Sequence, residues 1–290
     1  MSAYRSVKNV LYADLKEMGD VPVRQPFPSM HADRIDPFLL LHHLQVQVPD
    51  DRPVKHSGVG PHPHRGFSPV TFILKGGVHH RDSRGNNSVV WAGGTQWMHA
   101  GRGIVHSERP PEGIFEQGGE QEMLQLWVNS PAARKMEQPS YFALHAEDTP
   151  VVHSADGLVN VQVIAGALNG TRGPVPAITP VNTFVARFSK GGSFYFPLPP
   201  AHNAFIYVVN GVVEVTGGSI YTGLHAVVFG NDGEGIQLAA DEDSLVLIAS
   251  GQPLNEKIAA NGPFVMNTET EVLEAMRDYQ MGKMGILIEE

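Results

Sequence analysis

The 290-residue chain contains no cysteine. That absence excludes disulfides, thiolate-held zinc, iron–sulfur clusters and cysteine nucleophiles together. Any metal ion has to be held by histidine and carboxylate. Long apolar runs are missing as well. The longest are short pieces such as Phe38 to Leu41 and Leu245 to Ala249, far below the ~18 residues that a membrane helix needs. Met1 to Asp20 carries charges every few residues and has no apolar stretch of signal-peptide length. Basic residues are in deficit: 21 Lys and Arg stand against 30 Asp and Glu, a net charge of -9. Non-specific attraction to nucleic acid or to an anionic membrane is not expected from that balance. These absences point to a soluble, cytoplasmic protein with no direct nucleic-acid or membrane partner.

Glycine (31) and proline (22) are abundant, without a collagen-like period, so many turns and short elements are expected. From about Val70 onward, short β-branched and aromatic runs are stopped by Gly, Asn or Pro, the pattern of a sandwich or barrel. Candidate strands are Val70 to Leu74, Ser88 to Trp91, Met123 to Val128, Asn160 to Ile164, Thr183 to Phe188, Phe205 to Val209, Val212 to Val215, Ala226 to Phe229, Ile236 to Leu238 and Leu245 to Ala249. Helical periodicity is scarce. Its clearest case is near the C-terminus, where Thr268 and Glu271 have capping-box spacing ahead of Val272, Leu273, Met276 and Tyr279. A second short helix is expected around Ala132 to Glu137, after Ser130-Pro131.

The stretch Gly166 to Pro180 lacks periodicity and reads as an inter-domain connection. β-rich segments lie on both sides of it. Thr71 to Gly76 (TFILKG) and Ile206 to Gly211 (IYVVNG) each form an apolar strand ending in a polar residue and Gly, with another strand following. This duplication favours two similar β-barrel modules in tandem, residues 1–165 and 166–290.

Histidine numbers 14, and two pairs stand out. His62 and His64, in Gly60-Pro61-His62-Pro63-His64-Arg65-Gly66, sit at i and i+2 and share one face of an extended backbone. His106 and Glu108, in Gly101 to Glu108, repeat the spacing with an imidazole and a carboxylate. Forty-two residues separate His64 from His106, room for several short strands to bring both pairs to one barrel mouth. Three imidazoles and one carboxylate suit a borderline divalent transition ion, not Ca or Mg. The adjacent pairs His42-His43 and His79-His80 point to opposite faces in a strand, so surface or hydrogen-bonded roles are expected for them. A plain structural role is expected for His99. Phe67, Trp97 and Met98, next to the ligand strings, are placed either at an apolar pocket mouth or in ordinary packing.

A His-x-His motif followed by a second ligand motif in a β-rich chain resembles a cupin, and the strings themselves resemble the pirin family. Pro61-His62-Pro63-His64-Arg65-Gly66-Phe67 carries the first motif; Gln96-Trp97-Met98 through Ala100 to Glu108 carries the second. Asp36-Pro37-Phe38-Leu39-Leu40 and Gly262 to Thr268 extend the likeness over nearly the whole chain. The resemblance implies an all-β bicupin, two jelly-roll-like barrels with a short C-terminal helix, and a metal only in the N-terminal barrel. It also implies His62, His64, His106 and Glu108 as ligands. In the second half only His202 and His225 flank the matching hairpin, and neither forms a His-x-His pair.

Four protein ligands would close a tetrahedral zinc, whereas octahedral Fe(II) or Mn(II) keeps two positions open. The resemblance implies quercetin 2,3-dioxygenase chemistry at Fe(II), with Mn, Ni, Cu and Zn as alternative ions, a small aromatic substrate and Glu108 as the base. The alternative it implies is an iron-dependent regulatory protein that binds a transcription factor or metabolic enzyme without catalysis. One departure stands out: after His-Arg-Gly-Phe the family often has Glu, and this chain has Ser68. A second departure is His42-His43, where relatives commonly carry acidic residues.

Overall fold

The structure is a computed structural model that describes residues 4–18, 21–48 and 57–289. Nearly every element is a β-strand, and every candidate strand named above falls within an observed one. The chain forms two compact units, and they interleave along the sequence. One gathers Lys16–Val23, Leu40–Asp148 and Leu254–Glu290; the other gathers Met1–Leu15, Arg24–Leu39 and Thr149–Pro253. A single cut at 165/166 does not describe this division, because both chain ends join the unit built by the opposite half.

In the first unit a seven-stranded sheet runs Ser140–Leu144, Thr95–His99, Phe67–Lys75, Gly119–Asn129, Phe38–Val48, Val21–Phe27, Asp14–Met18. Beside it is a four-stranded sheet in the order Val59–His64, Ile104–Arg109, Gly77–Asp82, Asn87–Trp91. The other unit repeats both orders. Its large sheet runs Val7–Tyr12, His225–Phe229, Asn203–Asn210, Ser244–Gly251, Val181–Phe188, Val159–Ala165, Val151–His153, and its small sheet Ser193–Pro197, Gly235–Ala240, Val212–Val215, Ser219–Thr222. The duplicated strings occupy the same place in each frame. Their glycines, Gly76 (φ +70) and Gly211 (φ +85), turn the chain into the small sheet. A Cβ would meet the carbonyl oxygen of Glu120 at 2.6 Å in one case and collide with Oγ of Ser244 in the other, so only glycine fits.

The repeated frame is filled differently in the two units. Opposite Ile236 and Leu238 of the second unit's small sheet lie Phe196 and Phe194. This matches the pairing of His64 with Ile104 and His62 with His106 in the first unit. The counterparts of His62, His64, His106 and Glu108 are therefore Phe194, Phe196, Leu238 and Ala240, all buried in one apolar cluster with Phe184, Ile206 and Ile248. Each buried large side chain of that kind contributes about 1.5–3 kcal/mol relative to exposure. His202 and His225 lie elsewhere, hydrogen-bonded to Ser250 and to the carbonyls of Thr222 and Gly223.

Two sequence expectations change. Gly166 to Pro180 is not a connection between units: Ala167–Leu168 and Thr171–Arg172 form a hairpin inside the second unit, turned by Asn169 (φ 48) and Gly170 (φ 86). Asn-Gly between two short strands is a hairpin signal. The helix expected over Ala132 to Glu137 is a single 3-10 turn, Ala132–Arg134, followed by the buried Lys135. A short helix at Glu112–Gln117 had no sequence signal. The C-terminal helix spans Glu269–Gln280 with the expected capping box between Thr268 and Glu271. Its Ala275 packs with Val105, Phe264 and Met284, against the strand that carries His106. Among the described residues no helix is long and apolar enough to cross a membrane.

Candidate metal centre

Strand pairing brings the first three candidate ligands together. His106 lies directly opposite His62, and His64 follows two residues along the same strand. Each of the three rings offers a nitrogen within 4.8 Å of the others'. His64 and His106 are buried and His62 is half-buried. Burial, and after it the neighbouring His62, hold the His64 ring well below the ordinary histidine value, against a smaller opposite pull from the Pro263 carbonyl. Burial does the same to His106, aided by His62, His64 and His80. Both rings are neutral at pH 7, the form that binds a metal ion.

The hydrogen bonds fix more. Nδ1 of His62 is 2.8 Å from the carbonyl oxygen of Gly60. A carbonyl can only accept, so Nδ1 carries the proton and Nε2 presents a lone pair. That Nε2 accepts from Nε2 of His64 at 3.0 Å, and Nε2 of His106 is buried with no partner among the described residues. A buried imidazole nitrogen left without a partner is costly, and a cation shared by the three rings would satisfy it. The residues fit a divalent transition ion, and the imidazole set suits Fe, Ni, Cu or Zn better than Ca or Mg.

Glu108 lies outside this three-ring group. The pairing register slips between His106 and Glu108, where one extra residue sits on the partner strand. The Glu108 carboxylate accepts from Thr71 Oγ1 at 2.9 Å and from Gln125 Nε2 at 2.8 Å. Trp127 Nε1 donates to Gln125 Oε1 at 3.1 Å and fixes the orientation of that amide. Thr71 and Gln125 are register partners on adjacent strands, so the clamp is built into the sheet. Sequence reading missed Thr71, Gln125 and Trp127. Their signal is weak, because polar residues on a strand between apolar ones look like an ordinary outer face.

The site opens into a pocket of about 730 Å³, within the range of small-molecule sites. His62, His64 and Glu108 share its lining with Met123, Trp127 and Val46. Trp127 lies against Phe67, ring centres 4.2 Å apart and tilted by 32°, and meets His64 edge-on at 5.4 Å. His42 also lines the pocket, and burial lowers its pKa to about 4. Of the residues left open between pocket and packing, Phe67 backs His64 at 5.1 Å, while Trp97 and Met98 are buried in the core. Ser68 is buried with its Oγ 3.4 Å from Nδ1 of His99. The adjacent pairs divide as strand geometry requires. His43 meets Glu122 at 3.1 Å and His79 meets Asn87 at 2.6 Å, while His80 is buried against His106.

Two β-barrel units with one strand order, one lined by a His-x-His strand opposite a third histidine and the other filled by phenylalanine, define a bicupin. The pirin model matches residues 20–128, and the pirin C-terminal cupin domain model matches residues 184–285. The chain belongs to the pirin family. Pirin-like protein 2 of Arabidopsis thaliana is 35% identical over 97% of this chain and 86% of its own. A pirin-like protein of Solanum lycopersicum is 36% identical over 96% of this chain and 92% of its own. Among solved structures, quercetin 2,3-dioxygenase from Acinetobacter baumannii superposes with a TM-score of 0.91 at 34% identity, covering 99% of this chain and 100% of that one.

Proposed function

We propose that this protein is a metal-dependent dioxygenase that opens the oxygenated ring of a flavonol, with Fe(II) held by His62, His64 and His106. The observation that carries the reading is a hydrogen-bonded carboxylate, Glu108, sharing one partly apolar pocket with His62 and His64 of the imidazole cluster. The likeness to the Acinetobacter baumannii quercetin 2,3-dioxygenase supports it. When bound, a divalent iron supplies open coordination positions and Lewis acidity toward a phenolic oxygen. The chain supplies the rest. Met123, Val46 and Trp127 offer apolar contact to a flat aromatic ring system. Glu108 accepts the proton of the substrate's 3-hydroxyl, and Thr71 and Gln125 hold its carboxylate in place while it does so. Trp127 and the buried Phe67 pack against His64 and keep water from one side of its ring.

The test is anaerobic loading with Fe(II), addition of a flavonol, and admission of oxygen. One carbon monoxide released per oxygen consumed supports the enzyme. No carbon monoxide from iron-loaded protein removes this reading and leaves a metal-dependent regulatory partner as the function to pursue. Zinc filling the site as purified, with all coordination positions closed, would make it structural.

A further inference from the structure

Behind His106, away from the pocket, a second histidine and an aspartate continue the line of imidazoles. Nδ1 of His106 is 3.4 Å from Nδ1 of His80, long for a hydrogen bond but the nearest partner that ring has. Nε2 of His80 is 3.1 Å from Oδ2 of Asp82. Asp82 is itself held by the backbone amides of Arg84 and Asn86 and by Nδ2 of Asn86 at 2.7 Å. Tyr141 lies flat on the His80 ring, 3.8 Å away and 4° from parallel, with its hydroxyl 2.8 Å from Ser88 Oγ. The ring of His80 is thus fixed in both position and rotation.

We propose that Asp82 and His80 are positioning residues that set the tautomer of His106, so that its Nε2 lone pair points at the other two rings before any metal arrives. The logic runs along the chain of atoms. An ionised carboxylate only accepts, so Nε2 of His80 carries the proton. In neutral imidazole, Nδ1 of His80 is then a lone pair. It accepts from Nδ1 of His106, and the remaining nitrogen of His106, the buried partnerless Nε2, is left unprotonated. Burial works against the Asp82 charge, but the hydrogen bonds from His80, Asn86 and the Arg84 amide outweigh it, and its pKa falls below the ordinary value. The Gly60 carbonyl sets His62 in the same way from the other side. Ligand rings held by such outer partners lose about 10–100-fold in metal affinity when the partner is removed.

This inference rests on the metal reading of the three imidazoles, and the experiment separates the two. In metal-free protein with 15N-labelled histidine, nitrogen chemical shifts and their proton couplings report which His106 nitrogen is protonated. The Nδ1–H form is expected. The Nε2–H form, in which His80 is the donor, overturns the proposal without any variant having to fold. Affinity for Co(II) alone, by competition with a chromophoric chelator, is the second readout. His80→Phe keeps a ring against Tyr141 but removes the acceptor, and a 10–100-fold loss is expected. In His80→Asn the side-chain oxygen takes the place of Nδ1, and most of the affinity should return. Equal affinity for His80→Phe and the parent protein sinks the proposal. An Nδ1–H tautomer in a protein that binds no Co(II) leaves the relay standing and removes the metal reading.

Discussion

Gln125 donates its amide to Oε2 of Glu108 at 2.8 Å, from a strand next to the one that supplies Thr71. The carboxylate is therefore held by the large sheet, while the imidazoles belong to the small one. That separation lets a change at the carboxylate leave the imidazole cluster intact.

For Glu108→Gln the expectation follows directly. The three rings still offer their nitrogens, so iron content per chain should stay within about twofold of the parent protein. Flavonol-dependent oxygen uptake per bound iron should fall by about 10²–10⁴, the usual worth of a positioned base. Metal analysis and an oxygen electrode on the same sample decide it. Undiminished uptake per iron would remove Glu108 from proton transfer.

Thr71→Val tests the clamp from the other side. The substitution keeps the shape and removes one hydroxyl donor to a charged acceptor, an interaction worth about 1.5–3 kcal/mol. The urea midpoint should drop accordingly, and Thr71→Ser should restore it. A valine protein as stable as the parent would mean that Gln125 holds Glu108 alone.

Acid should weaken the metal-free protein well before ordinary carboxylates titrate. His42 and His99 both have pKa values lowered to about 4, chiefly by burial. In unfolded chain they protonate near 6.5. Below that value the unfolded state binds more protons than the folded one, so stability falls with falling pH. The loss begins near pH 6.5 and continues to about pH 4. Urea midpoints at pH 7.5, 6.5, 5.5 and 4.5 trace it, and His42→Leu, if it folds, should flatten the curve. A midpoint constant across that window would contradict the buried neutral state of both rings.

Much of this was legible from residue order alone, for a physical reason. Strands such as Asn203–Asn210 are apolar and β-branched and end at a glycine that must turn, so pattern and structure agree. The His-x-His strand Val59–His64 contains two prolines and Gly77–Asp82 contains two histidines. Neither reads as a strand, because the residues that build the centre displace the apolar alternation that signals one. The i, i+2 spacing places Glu108 beside His106, but the Thr71–Gln125 clamp on its carboxylate is invisible in the sequence, because only strand pairing brings those residues close. Nor does local sequence show that Leu254–Glu290 joins the unit of the three histidines, since that depends on contacts such as Val265 N donating to the Arg65 carbonyl at 3.0 Å.

Lys135 gives the sharpest test of that closing segment. Its ammonium is buried and donates to the carbonyls of Gly66 (2.6 Å) and Val265 (2.9 Å) and to Oδ1 of Asn129 (2.6 Å). Gly66 lies two residues beyond His64, so one charge ties the end of the ligand strand to the C-terminal strand Phe264–Met266. Burial lowers its pKa to about 8, and it remains largely protonated at pH 7. Lys135→Met fills the space but leaves three acceptors without their donor, at a cost of about 2–4 kcal/mol. A second signature comes from linkage: between pH 8 and about 10 the unfolded lysine stays protonated while the folded one does not, so the parent protein gains stability with rising pH in that interval. The methionine variant should lose this slope. Urea midpoints of both proteins at pH 7, 8, 9 and 10 measure the offset and the slope together, and parallel curves of equal height would show that the buried ammonium ties nothing.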